Sequence, residues 1–261
     1  MSLPTMTSLE RVLTTLGHRE PDRVPLFLLL SLHGARELGL SIREYFSRPE
    51  HVATAQLRMR ERYGHDCLYA FFYAPIEVEA WGGEVVWHDD GPPNSGRPFI
   101  QHADQINGLA PPDVPSSPLL GRTLEAISQM RTACSDAPII GVVVSPFSLP
   151  VMQMGFEAYL DLIYERRELF GRLMAINEAF CVAWANAQLR AGATAICYFD
   201  PLASSTVLPP DLYRDTGLRV ARRTLARIEG PTATHLASGR CLPVLDDIAG
   251  TGTAIIGVSA E

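Results

Sequence analysis

The chain has 261 residues, 47% of them hydrophobic, and a formal charge of −7, enough to bury one large core of the kind a barrel of ~250 residues needs. All 22 basic residues are arginine, which excludes a Schiff-base lysine, a lysine nucleophile and the Walker-type phosphate loop. The acidic balance, with no basic cluster beyond Arg222, Arg223 and Arg227, argues against a nucleic-acid partner. Five cysteines, widely spaced and without a CxxC pair, read as reduced thiols of a cytoplasmic protein. The apolar run 24–32 is far shorter than the ~20 residues that cross a bilayer, so a membrane is not expected.

In chain order, continuous apolar runs alternate with amphipathic stretches, as strands buried on both faces alternate with covering helices. Strands are predicted at 24–30, 67–73, 139–145, 195–200, 232–236 and 254–258. Helices are predicted at 49–62, 119–134, 156–191, 210–228 and 242–249. Pro209 and Pro210 with Asp211 open one helix, because proline pre-sets the first turn and an acid suits the N-terminus. Gly192 closes another. The segment 81–118, dense in glycine and proline, breaks the rhythm and reads as a hairpin and loop excursion over one mouth of the sheet. Repeated strand and helix mean an α/β fold with a parallel sheet in one domain, 1–261; the pattern alone leaves barrel and open sheet both available.

Parallel α/β folds collect ligands at the carboxyl ends of their strands. The polar residues there are His33, Tyr73 with Glu77 and Glu79, Ser145, Asp200, His235, and Ser259 with Glu261. Two histidines, carboxylates and a tyrosine around one mouth suit acid/base or metal chemistry. Each has a plainer role available: His33 beside Gly34 as a turn and helix start, Asp200 as an acceptor for loop N–H groups, Glu77 and Glu79 as solvated loop carboxylates. His88, Asp89 and Asp90, and His102 with Asp104, read as a solvated hairpin. Gly250, Gly252 and Gly257 lie between a helix and a strand, the reverse of the order that aims a helix N-terminus at phosphate. Ser145 and Ser148 lack the G-x-S-x-G elbow.

Arg11-Val12-Leu13 with Gly17, Pro21-Asp22-Arg23-Val24-Pro25, Glu79-Ala80-Trp81-Gly82-Gly83, Asp200-Pro201-Leu202-Ala203-Ser204 and His235-Leu236-Ala237-Ser238-Gly239 occur in an order that resembles the uroporphyrinogen decarboxylase superfamily. That superfamily includes the methylcobamide:coenzyme M methyltransferases. The resemblance implies a (β/α)8 TIM barrel, of which this chain shows six strands and not the last two β/α units. It therefore implies either a truncated chain or open edges covered by a homo-oligomer.

The decarboxylases carry an arginine-rich segment after the first strand and an aspartate after the second. Here only Arg36 stands near the first position, and Phe71-Phe72-Tyr73 occupies the second, so the resemblance is closer to the methyltransferase branch. In that branch the strand-five histidine, a cysteine two residues on and a later cysteine bind zinc, which would activate an acceptor thiol toward a methyl group on a corrinoid. His235 matches, Ala237 replaces the first cysteine, and Cys241 is the alternative ligand. The expectation is thus a corrinoid-linked methyltransferase acting on a small molecule, with a corrinoid-binding protein as partner. Its catalytic residues would be His235, Asp200 and His33, with Arg36, Tyr73, Glu79 and Ser145 binding substrate. A uroporphyrinogen decarboxylase-like carboxy-lyase is the alternative, and a non-catalytic ligand-binding barrel the third reading.

Overall fold

The computed structural model describes residues 6–259; Glu261, expected at the end of the last strand, lies outside them. Helix α1 (Ser8–Leu16) opens with a capping box, in which the Thr7 side chain accepts from the Glu10 N–H and Glu10 reaches back to Thr7. After it come α2 (His33–Leu38), α3 (Ile42–Tyr45), α4 (Pro49–Tyr63), β1 (Leu68–Tyr69), α5 (Ile76–Ala80), the hairpin strands β2 (Val85–Val86) and β3 (Asn94–Ser95), and α6 (Pro118–Ala133). The chain continues through β4 (Ile139–Val144), α7 (Pro150–Met154), α8 (Phe156–Glu165), α9 (Arg167–Ala191), β5 (Ala195–Phe199), α10 (Pro210–Asp215), α11 (Gly217–Leu225), β6 (Thr232–His235), α12 (Leu245–Ala249) and β7 (Ile255–Gly257).

The main sheet runs β1-β4-β5-β6-β7, every pair parallel. Each new strand is laid beside the last without the reversal of a doubly wound sheet, which decides for the barrel-type arrangement that the strand–helix pattern left open. Among the described residues the sheet stays open rather than closing on itself. The register stacks Val142, Cys197, Ala233 and Ile255 in one layer and Val144, Phe199, His235 and Gly257 in the next. Alternation along a strand gives these residues one face. That inner face carries the small cluster of Cys67, Ile140 and Cys197. The opposite face, with Val143 and Tyr198, packs under α4, α6 and α9 in the core that holds Met59, Leu120, Ile127 and Trp184.

Several predicted elements change. Residues 24–30 are not a strand: the segment has no sheet ladder, Val24 is 83% exposed, and beside the backbone bond from the Asp66 N–H to the Leu26 carbonyl at 2.7 Å, side chains hold its backbone. The Asp66 carboxylate accepts from Leu26 N–H (2.7 Å), and Gln56 donates to the Leu30 carbonyl (3.0 Å). The predicted strand 67–73 shortens to two residues. The helix over 156–191 breaks at Arg166, whose φ of −130° and ψ of 60° leave the helical region, and the one over 210–228 breaks at Thr216. A 3-10 turn (Leu242–Val244) precedes α12.

The motif arginines lie at the amino end of the sheet. Arg11 bonds Asp22 and Asp66, each at 2.6 Å, and Arg23 reaches Asp66 at 2.6 Å, so Asp66, placed just before β1, fastens α1 and the 24–30 segment. The excursion packs at the other end. Trp87 meets Tyr73 edge-on at 5.1 Å, Trp81 packs tilted against Phe180 at 4.4 Å, and the Ile100 N–H donates to the Gln153 carbonyl.

Candidate active site

His235 ends β6 in the uppermost inner layer, half-buried, its ring 5.7 Å from that of Phe199. Burial lowers its pKa, so the ring is neutral at pH 7, the form that accepts a proton. Neither ring nitrogen has a hydrogen-bond partner among the described residues. Gly257 lies beside it in the layer, and a Cβ there would stand 2.8 Å from His235 Nδ1. The glycine leaves the imidazole its space.

Asp200, one residue past β5, takes the opposite parity and faces the helix layer. Its Oδ1 accepts from Ser145 Oγ and Ser148 Oγ, both at 2.6 Å. Ser148 Oγ in turn accepts from the Leu202 N–H at 3.1 Å, and the Asp200 N–H donates to the His235 carbonyl at 2.9 Å. The carboxyl is fully buried and its Oδ2 has no partner among the described residues. Burial pushes its pKa up to about 6, against the two hydroxyl bonds that pull it down. Asp200 thus ties the ends of β4, β5 and β6 together from behind, while His235 faces inward.

A second pair forms after β1. The Tyr73 hydroxyl donates to Glu79 Oε2 at 2.6 Å, and burial raises the phenol far above its ordinary value. Tyr73 is buried among Phe46 and Trp87, so it anchors the loop. Glu77, two residues before Glu79, points the other way; it is 2% exposed and its Oε1 accepts from the Val144 N–H at 2.8 Å.

The structure therefore joins Ser145 to Asp200 and Tyr73 to Glu79, and sets His235 on the inner face. It does not bring His33 or Arg36 to them. His33 starts α2, where Nε2 meets the Tyr63 hydroxyl at 3.0 Å and Glu37 lies at 3.4 Å, against the last turn of α4. Arg36 is exposed on α2. Ser148, set aside with Ser145 for want of a nucleophile elbow, is instead a donor to Asp200, its i,i+3 spacing from Ser145 being the signal, and Glu77 is a buried carboxyl rather than a solvated one.

The described residues do not fit a zinc ion. Among them no group of three or more His, Cys, Asp or Glu is placed to hold a metal. Ala237, exposed and left-handed at φ 55°, occupies the loop next to His235, and Cys241 is buried with Leu236, Leu208 and Val244 in an apolar cluster. Burial also pushes the Cys67 thiol up to about 12 and the Cys197 thiol up to about 11, away from the thiolate form that ligates or attacks. No described helix is long and apolar enough to cross a membrane.

Comparison with known proteins agrees with this architecture. A solved methyltransferase from Methanosarcina mazei superposes with a TM-score of 0.85 at 24% identity, covering 96% of this chain and 75% of that one. The methylcobamide:CoM methyltransferase MtaA of Methanosarcina barkeri is 25% identical over 248 residues, 93% of this chain and 72% of the relative. A uroporphyrinogen decarboxylase of Paraburkholderia xenovorans is 26% identical over 229 residues, 80% of this chain and 61% of the relative. The uroporphyrinogen decarboxylase (URO-D) model matches residues 7–261, which span the α1 staple, the serine–aspartate tie and the His235 layer alike. By that match and by its parallel, barrel-type sheet, the chain belongs to the uroporphyrinogen decarboxylase family.

Proposed function

We propose that the chain is a methyltransferase-like enzyme that moves a methyl group between a corrinoid, carried by a partner protein, and a thiol or similar acceptor. The observation that supports this reading is His235, a neutral, inward-facing imidazole at the carboxyl end of β6, in a chain whose relatives include a methylcobamide:CoM methyltransferase. When bound, the corrinoid supplies or receives the methyl group. His235 takes the proton from the acceptor's S–H, so that the sulfur attacks as thiolate, a general-base contribution worth ~10²–10⁴-fold. Asp200 acts through Ser145 and Ser148 as a positioning residue for the strand ends, and the Tyr73–Glu79 pair holds the loop beside them. No step runs through zinc.

The test is the loss of methylcobalamin absorbance on adding a thiol, with His235→Ala lowering the rate at least ~10²-fold. No absorbance change with any thiol would remove the proposal, and one zinc per chain would overturn its metal-free form. Because burial lowers the histidine pKa below its usual value, the acidic fall in rate should have its midpoint below pH 6.5.

The uroporphyrinogen decarboxylases among the relatives keep a second reading in view, a carboxy-lyase with Arg36 gripping a substrate carboxylate. Arg36 is exposed on α2 and Tyr73 is committed to Glu79, which favours the first reading. Release of CO2 from uroporphyrinogen, abolished by Arg36→Ala, would reverse that preference.

A further inference from the structure

The β1–β4 ladder opens early. After the Ala70 N–H donates to Ile140, β1 leaves the edge of β4, and two side chains take its place. Gln188 from α9 pairs with both the N–H and the carbonyl of Val142, each at 2.9 Å, and Glu77 Oε1 takes the Val144 N–H. Behind this seam lies a cavity lined in part by Phe71, Tyr73, Glu77, Thr123, Val144 and Trp184.

Three polar atoms in its wall, Glu77 Oε2, Thr123 Oγ1 and Trp184 Nε1, are buried and make no hydrogen bond of normal length and angle among the described residues, although the Trp184 indole stands near enough to the Glu77 carboxyl to favour its charged form. Their residues are 2%, 2% and 1% exposed, and they come from three different elements, α5, α6 and α9. Orphaned buried groups of this kind destabilise the fold unless something satisfies them. Empty cavities are apolar; a polar one with two to four convergent partners and ~10–15 Å3 of room holds a water. This one has about 10 Å3.

We propose that the seam between β1 and β4 is a binding site for one ordered water, held by Glu77, Thr123 and Trp184. The indole N–H donates to the water oxygen, the water donates one proton to Thr123 Oγ1, and its remaining hydrogen-bonding capacity meets Glu77 Oε2. A protonated Glu77 donates to the water and an ionised one accepts from it, so the site stays satisfied in both forms. The water completes the carboxyl that holds the last residue of β4, immediately before Ser145. It makes Glu77 a positioning residue for the Ser145–Asp200 tie, independently of the reaction the protein performs.

A high-resolution crystal structure tests this directly. The expected result is a single water at ~2.7–3.2 Å from all three atoms, lost in Thr123→Val, which keeps the side-chain shape and removes the hydroxyl. In solution, the Trp184 indole proton should show a nuclear Overhauser contact to a long-lived water, assigned by its absence in Trp184→Phe. An empty cavity, or Glu77 Oε2 bonded directly to Trp184 Nε1 with nothing between, overturns the proposal. If Thr123→Val does not fold, the contact in the unaltered protein still decides.

Discussion

Replacing Asp200 with asparagine separates the charge of this group from its shape. In the folded protein the carboxyl is buried and its pKa rises from 3.8 to about 6, so the folded state holds the proton more tightly than the unfolded one. The contribution is therefore favourable below pH 3.8, is lost as pH rises from 3.8 to 6, and stays constant above. At ~1.4 kcal/mol per pH unit this amounts to about 3 kcal/mol. Asparagine keeps an Oδ1 to accept from Ser145 and Ser148, and it cannot ionise. The stability of Asp200→Asn relative to the unaltered protein should rise by about 3 kcal/mol between pH 3.5 and 7, because every other titrating group cancels in the difference. Urea unfolding at half-unit pH steps, read by midpoint at constant slope, measures it. Parallel curves for the two proteins would refute the reasoning, since they would mean that Asp200 meets solvent or a partner that stabilises its charge. Asp200→Ala gives a second control: two buried hydroxyls lose their acceptor and a small cavity opens, for a loss of ~2–4 kcal/mol below pH 3.8 that shrinks by the same ~3 kcal/mol as the pH rises to 7, because alanine does not ionise either.

Glu77→Gln should behave similarly in a higher window. Its pKa rises from 4.5 to about 8 through burial, so the variant's relative stability should climb on the order of 5 kcal/mol between those pH values, and a flat difference would count against a buried carboxyl. Ala237→Gly should stabilise the protein by ~0.5–1 kcal/mol in thermal unfolding, because φ 55° is left-handed backbone that glycine adopts without a Cβ clash. Gly257→Ala should displace the His235 ring, cost ~1–3 kcal/mol by overpacking, and shift the His235 ring resonances in NMR; unchanged resonances would show that the layer has slack.

Much of the fold was readable before any coordinate. The five strands of the sheet lie inside predicted apolar runs, and α10 starts at the marked Pro210 while α9 stops beside the marked Gly192. The first run, 24–30, misled because apolar composition reports burial or β propensity but not a ladder; here Asp66 and Gln56 occupy the backbone groups that a strand would have bonded. The long helices misled for the same reason, since Arg166 and Thr216 carry no local signal strong enough to announce a break. In the site, Ser145, Asp200, Tyr73 and Glu79 were visible as strand-end polar residues, yet their pairing was not, and His33 and Arg36 turned outward with α2 against the end of α4.

Local chemistry by itself determined where the five strands of the sheet fall, the absence of lysine-dependent reactions, and the strand-end residues from which a candidate site is drawn. Tertiary structure alone decided which of them face one another. Asp200 and His235 both stand at strand ends, but opposite pleat parity sends one behind the sheet to Ser145 and Ser148 and the other onto the inner face beside Gly257. Capping and periodicity depend on neighbours a few residues apart, whereas these contacts depend on register between strands joined by long helices. That register is fixed only when the whole core packs.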